Sequence, residues 1–339
     1  MNQQSEIEHQ GLYRREYEHD ACGVGMVANL SGEASHEIVM HGMTILKRLM
    51  HRGATGNDSE TGDGAGLLLK IPQRFFRKVL SHAEVPRGGA RREDGIFGVA
   101  MIFGGDGEEK KIEEAVRGEG CEVLAWRDVP IDPSAIGHDA RAVMPRIRQL
   151  FIVCGRDEKD INDKVFERRL YIVRRQIEKA TANTYICSCS SRTIVYKGLL
   201  LATQIEKFYP DLSDPDFVSP FAIVHQRYST NTFPSWELAH PFRAIAHNGE
   251  INALKGNLTA LAAREASLAS PLFGDELKKL LPVVHGGQSD SASLDNVFEL
   301  LVAAGRDAPH AMMMLIPQAW GAKYHVGHEI GRASCRERV

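Results

Sequence analysis

The chain has 339 residues, 43% hydrophobic and 25% charged, with 41 Lys and Arg against 44 Asp and Glu and a formal net charge of -3. This is the composition of a globular protein able to bury a substantial core as one large or two smaller domains, and it offers no basic face for nucleic acid. No apolar run reaches the roughly 18 residues of a membrane span, and the charged stretch Arg14, Arg15, Glu16, Glu18, His19, Asp20 lacks the apolar segment of a secretory signal, so a cytoplasmic protein without membrane contact is expected.

Residues 1–21 are polar and aperiodic, and read as a leader outside the core. The apolar run Gly23 to Leu30 reads as a buried strand. His36 to Met50 reads as a helix, with Ile38, Val39, Ile45, Leu46, Leu49 and Met50 at helical spacing behind a Ser35 cap. Further strands are expected at Ala65–Ile71, Ile96–Phe103, Arg146–Val153, Thr184–Ser188, Thr193–Gly198, Phe221–Gln226 and Phe242–His247. The segment Asp160–Lys179 carries Phe166, Leu170, Val173 and Ile177 on one helical stripe, which assigns Arg168, Arg169, Arg174 and Arg175 to the solvated face. Glu250–Leu268 and Ser291–Ala304 complete the helices, the second capped within Ser289-Asp290-Ser291. Runs of consecutive strands between helices suit stacked sheets covered by helices better than strict βαβ alternation. Gly104–Gly107 and Pro210–Pro215 punctuate loops and mark no domain boundary.

Six cysteines (Cys22, Cys121, Cys154, Cys187, Cys189, Cys335) include no C-x-x-C pair, so zinc or iron–sulfur ligation within this segment is not expected. Cys187 and Cys189, two apart in "TYICSCS", are expected on one side of a strand as buried reduced thiols. Cys22, in "HDACGVGMV", leaves open whether it is buried, paired, metal-bound or nucleophilic.

Five segments are unusual in their residue choice: "DACGVG" at 20–25, "HRGATG" at 51–56, "HQRYSTNTFPSW" at 225–236, "AHNGEIN" at 246–252 and "GGQSDSAS" at 286–293. Singly, each has a plain structural reading. Asn248-Gly249 is a hairpin-turn signal, Arg227 suits a solvated strand end, and Asp290 suits a helix N-cap. Their joint occurrence in this order points elsewhere.

Together, "EHDACGVGMVA", "LKRLMHRGA", "TGDGAGLLL", "VHQRYSTNT", "FRAIAHNGEIN" and "SDSASLDN" resemble the class II glutamine amidotransferases, which are N-terminal-nucleophile hydrolases. Among these the chain is most similar to the amidotransferase domain of glutamate synthase large subunits, from about residue 13 to about residue 320. The 226 positions between Cys22 and Asn248 exceed the spacing in the purine, hexosamine and asparagine amidotransferases.

The resemblance implies an α+β fold, a four-layer αββα sandwich of two mainly antiparallel sheets flanked by helices. It also implies a domain over residues 22–330, truncated at its C-terminal end, after a leader at 1–21; the tail "GRASCRERV" at 331–339 departs from the family. It implies a cut before Cys22, whose thiol is then the nucleophile and whose α-amino group, with an ordinary pKa of about 7.7–8.0, is the base. Asn248 and Gly249 are implied as oxyanion donors, Arg227 as the partner of the substrate carboxylate, Asp290 as the partner of its ammonium, Arg52 as a neighbour of the cysteine, and Thr230 and Asn231 as pocket floor. The implied substrate is L-glutamine. The implied whole enzyme has synthase domains absent from this chain, with FMN and an iron–sulfur cluster, and takes ammonia to 2-oxoglutarate, with a small reductase subunit as a further partner. The competing expectations are a catalytically incompetent fragment or glutamine-binding module of the same fold, and a self-processing amidohydrolase of other specificity.

Overall fold

The computed structural model describes residues 23–56, 58–81, 97–154, 163–226, 233–247, 249, 251 and 253–316. Among these the strands are β1 (Val24–Ala28), β2 (Ala65–Lys70), β3 (Gly98–Gly104), β4 (Cys121–Asp128), β5 (Ile147–Cys154), β6 (Thr184–Ser190), β7 (Thr193–Gly198) and β8 (Phe221–Gln226). The helices are α1 (His36–Arg48), α2 (Gln73–Ser81), α3 (Glu109–Gly118), α4 (His138–Ala142), α5 (Asp163–Ala180), α6 (Ile205–Phe208), α7 (Leu254–Glu265), α8 (Asp290–Ala303) and α9 (Ala308–Leu315). Both expected caps form: the Ser35 hydroxyl accepts the Ile38 N–H and the Ser289 hydroxyl accepts the Ala292 N–H at 3.1 Å. Each satisfies a first-turn donor, typically worth about 1 kcal/mol.

The strands form two four-stranded sheets, ordered β1-β8-β2-β7 and β4-β5-β3-β6, with every pair antiparallel. In the second sheet the two-residue period divides the side chains between two cores. Val99, Met101, Phe103, Ile147 and Phe151 join a central cluster shared with Leu67, Leu69, Val195 and Val224 of the first sheet. Ala100, Ile102, Leu150 and Ile152 turn the other way, onto Ile112 and Val116 of α3 and Phe166, Leu170, Val173 and Ile177 of α5. Helix α1 lies on β1 and β8 of the first sheet. The result is an α+β sandwich of two antiparallel sheets with helices against both. A third cluster joins Tyr171 and Ile172 of α5 to Phe242, Ile245, Ile251 and the apolar side chains of α8 and α9.

The structure corrects several expectations. Phe242–His247 is not a strand: the Phe242 N–H turns back to the Ile245 carbonyl at 3.0 Å, and the Ala244 and Ile245 N–H groups donate to the Asp295 carboxylate. Arg174 and Arg175 are buried rather than solvated, because later chain covers that side of α5. Arg174 pairs with Glu178 at 2.5 Å and with Glu299; Arg175 pairs with Glu178 at 2.8 Å and donates to the Leu280 and Pro282 carbonyls. Cys187 and Cys189 are both buried free thiols, yet on opposite faces: Cys187 joins the central cluster and Cys189 the α5 side. A register shift against β3 between Met101 and Ile102 breaks the alternation there. Strand β4, interrupted by Glu122 and Arg127, has no alternation to read; β5 supplies its ladder, and Cys121 is disulfide-bonded to Cys154 directly across that pair. Residues 1–21 and 331–339 lie outside the described residues.

Candidate active site

Three of the unusual segments meet where β1 begins and β8 ends. The Gln226 N–H donates to the Gly23 carbonyl at 2.7 Å, closing the ladder at the residue directly after Cys22. Gly23 packs so tightly that a Cβ there would run into the Gln226 carbonyl, and it would stand 3.5 Å from the Arg52 Cβ. A Cβ on Gly53 would run into the Gln226 side-chain amide. Arg52 closes a short 3-10 turn, Met50–Arg52, directly after α1. Gly23, Arg52-Gly53 and Gln226 are therefore close neighbours, Gly23 and Gln226 through their backbones and Gly53 through the Gln226 side chain.

The fourth segment is attached through histidines. Nε2 of His225 donates to the His247 carbonyl at 3.0 Å, which requires the proton on Nε2 because a carbonyl only accepts. The Gly249 N–H donates to Nδ1 of His247 at 3.1 Å, so that nitrogen is unprotonated. Burial holds the His247 imidazole below its ordinary 6.5, against the opposing pull of Asp290 and Asp295. His240 stacks on His225 with centroids 4.4 Å apart, and burial, with His225, His247 and Lys197 adding to it, lowers its pKa well below 6.5. Beside them Lys197 is buried, donates to the Glu237 carbonyl at 2.7 Å, and has its pKa lowered by burial to about 8.

Helix α8 attaches the fifth segment. Asp290, 3% exposed, accepts the Ser291 N–H on Oδ1 at 2.7 Å and the Ile251 N–H on Oδ2 at 3.3 Å. One turn further on, Asp295 is fully buried; its Oδ1 accepts the Ala244 and Ile245 N–H groups at 2.9 and 3.1 Å, and its Oδ2 lies 3.1 Å from Nη2 of Arg243. Arg243 also bonds Asn296, and its Nε lies 3.3 Å from Glu299. Burial disfavours the Arg243 charge, but Asp295 and Glu299 outweigh it and hold its pKa above the ordinary value.

Of the expected site residues, Arg52, Gly249 and Asp290 lie in this connected set. Cys22, Arg227, Thr230, Asn231 and Asn248 lie outside the described residues, each directly beside or within a few positions of one that belongs to it. Sequence reasoning passed over His225, Arg243, His247 and Asp295. The signal for Asp295 was an acid set among Leu294, Val297 and Phe298, where a lone charge needs a partner. The other described thiols are poor nucleophiles: burial pushes the Cys187 pKa up to about 12 and raises that of Cys189 as well. Among the described residues no group of three or more His, Cys, Asp or Glu could hold a metal ion, and no helix is long and apolar enough to cross a membrane.

A family model described as "Glutamine amidotransferases class-II" matches residues 22–332. The chain is 48% identical over 330 residues to the glutamate synthase [NADPH] large chain of Bacillus subtilis, covering 94% of this chain and 21% of that protein. It is 42% identical over 329 residues to the glutamate synthase [NADH] of Saccharomyces cerevisiae, covering 91% and 15%, respectively. It is 41% identical over 315 residues to the chloroplastic ferredoxin-dependent glutamate synthase 2 of Arabidopsis thaliana, covering 89% and 19%. The chain thus spans about a fifth of the length of the curated relatives it matches, and what it matches is their amidotransferase region.

Proposed function

The chain belongs to the class II glutamine amidotransferases, and on that premise we propose that it hydrolyses L-glutamine to glutamate and ammonia with Cys22 as the nucleophile. Removal of residues 1–21 frees the α-amino group of Cys22, which takes the thiol proton. The sulfur attacks the side-chain amide carbon, and the oxyanion that forms is held by the Asn248 side chain and the Gly249 N–H. The α-ammonium group then gives its proton to the leaving nitrogen, the C–N bond breaks, and ammonia departs from a thioester. Water, deprotonated by the same amine, hydrolyses that thioester and regenerates the thiol. To serve the oxyanion, the Gly249 N–H turns from Nδ1 of His247, its partner in this structure.

The carrying observation is the set of contacts from Gly23, which follows the nucleophile, through Gln226, His225 and His247 to Gly249, with Ile251, two positions on, held by Asp290. In this reading Asp290 receives the substrate ammonium on its carboxylate, Arg227 grips the carboxylate with a two-pronged fork, Arg52 holds the residues around the cysteine, and Thr230 and Asn231 line the floor. A binding module without chemistry has no need of a cysteine, two oxyanion donors and a pair of opposite charges together.

In the whole protein we place this activity as the ammonia source of a glutamate synthase. Synthase domains outside this chain would convert 2-oxoglutarate to glutamate, with FMN and an iron–sulfur cluster held there rather than here. The relatives carry NADPH, NADH and ferredoxin in their names; a small reductase subunit as electron-delivering partner of the whole protein is part of this proposal. We also place the protein in the cytoplasm, a setting that would hold reduced the Cys121 and Cys154 pair that is disulfide-bonded in this structure; a thiol count on protein quenched in acid inside cells tests that setting.

The test is a glutaminase assay alongside intact mass and N-terminal sequencing. Active protein should begin at Cys22, and a glutamine-analogue electrophile should label that cysteine alone. Full activity in protein that retains residues 1–21, or labelling of Cys187 or Cys189, rejects the mechanism.

A further inference from the structure

We propose that Asp295 is a positioning residue of this site, setting where the Gly249 N–H points by fastening the chain upstream of it to helix α8. The proposal rests on the reading of Gly249 as an oxyanion donor. The stretch from Arg243 to Ile251 has no strand neighbour among the described residues, so side chains must do what a ladder does elsewhere. Asp295 takes the N–H groups of Ala244 and Ile245 upstream of Gly249, and Asp290 takes the N–H of Ile251 downstream. The two acids are five residues apart on one helix, about 7.5 Å along its axis at about 1.5 Å per residue. Helix α8 is therefore a rigid ruler against which both flanks of Gly249 are set.

The residue type follows from the donors. Two backbone N–H groups arrive at one oxygen, and the other stands 3.1 Å from the Arg243 guanidinium as an ion pair without a hydrogen bond, so the site wants one accepting oxygen and a negative charge. An asparagine keeps the accepting oxygen but loses the charge and turns an NH2 group toward Arg243. An alanine leaves two buried N–H groups without their acceptor and the guanidinium without this counter-charge. Arg243 fixes the Asp295 rotamer in turn, being held by Asn296 and Glu299 of the same helix. No substrate contact is assigned to Asp295; it acts through the backbone alone.

The test compares Asp295→Ala and Asp295→Asn with the wild-type protein in two ways. Turnover is measured per active site, counted by complete reaction with a glutamine-analogue electrophile, so that loss of folded protein does not count as loss of catalysis. The Gly249 amide resonance is followed in protein without substrate. Misplacement by about 1 Å can cost about 100-fold in rate, so kcat per site should fall by roughly that factor in the alanine variant and by less in the asparagine variant, with KM for glutamine nearly unchanged. The Gly249 amide should shift and exchange faster in the same order. Wild-type kcat per site in the alanine variant with only a lower Tm, or a loss confined to KM, overturns the proposal; if the alanine variant does not fold, wild-type kcat per site in the asparagine variant does so. Absence of turnover in the wild-type protein would reject the glutaminase reading instead, and the Gly249 resonance would still decide whether Asp295 positions that N–H.

Discussion

The cysteine side and the Gly249 side of this site are held by different kinds of bond. Next to Cys22 the chain enters a ladder that pairs Val24 with His225 and Ala28 with Phe221, and β8 is paired in turn with β2 and β2 with β7. The bonds are repeated and independent of side chains, so no single residue carries the geometry. Among the described residues around Gly249 there is no ladder; the chain is hung on the carboxylates of Asp290 and Asp295 and on His225. A backbone-held wall tolerates most substitutions, whereas a side-chain-held wall depends on single atoms and on their protonation. Gly23, which follows the proposed nucleophile, sits on the first kind. Gly249, the proposed oxyanion donor, whose N–H is held by His247 in this structure, sits on the second.

The largest effect lies beyond the comparison, in the chemistry itself. Cys22→Ala should abolish glutamine hydrolysis and electrophile labelling while Tm is unchanged, since Gly23 onward still forms the ladder. Residual turnover above the uncatalysed rate would remove Cys22 from the mechanism. Next in size, Asp290→Asn removes the charge opposite the substrate ammonium but leaves an oxygen for the Ile251 N–H. Glutamine binding should weaken by about 2–5 kcal/mol, as for truncation of a buried charge partner, with a smaller change in kcat. A fall in kcat alone, at wild-type KM, would mean that Asp290 serves the turn rather than the ammonium.

The ladder side has a weak point at Gly23, and it sharpens the contrast. Gly23→Ala drives a Cβ into the Gln226 carbonyl, an overpacking that typically costs about 1–3 kcal/mol, and it displaces the residue next to the nucleophile. Met26→Ala, on the same strand but exposed, should stay within about 0.5 kcal/mol of wild type. Urea midpoints and glutaminase rates for the pair check this. Equal behaviour of the two variants would show that close approach at Gly23 does not matter.

The same division decided what could be read from the sequence. Seven of the eight strands among the described residues, and the caps at Ser35 and Ser289, were legible because each is written locally, in a short apolar run or in one hydroxyl, although β1 is an edge strand, with Met26 and the following Leu30 exposed, rather than the buried strand expected. The Phe242–His247 run misleads because it is short and mostly apolar like a strand, while the N–H groups of Ala244 and Ile245 go to Asp295, some fifty positions later in the chain. Arg174 and Arg175 mislead for the same reason: their partners Glu299, Leu280 and Pro282 lie over a hundred residues away. The bulge that sends Cys187 and Cys189 to opposite faces is set by the pairing with β3 and leaves no local mark. In the site, residue types with rare chemistry could be picked out, while Asp295 and His247 take their roles only from the backbone groups folded against them.

The smallest expected effect is on stability against pH, and it tests the protonation half of the comparison. His240 and His247 both have folded pKa values below 6.5, chiefly through burial. In the unfolded chain each takes up its proton near 6.5, in the folded chain only at lower pH, so below 6.5 the unfolded state binds more protons. Their contribution to stability is therefore complete above 6.5 and is lost progressively as pH falls through the folded values. The groups that face them are His225, Lys197, Asp290 and Asp295; Lys197 and His225 add to the lowering and the two acids oppose it. His240→Phe keeps an aromatic ring against His225 and Phe242 but removes one proton-binding site. The urea midpoint of this variant should fall less steeply between pH 6.5 and about 5 than that of wild type, with glutaminase activity at neutral pH largely kept. Wild-type steepness in the variant would mean that His240 does not load the fold with a buried base, and that the acid sensitivity of this wall comes from its carboxylates alone.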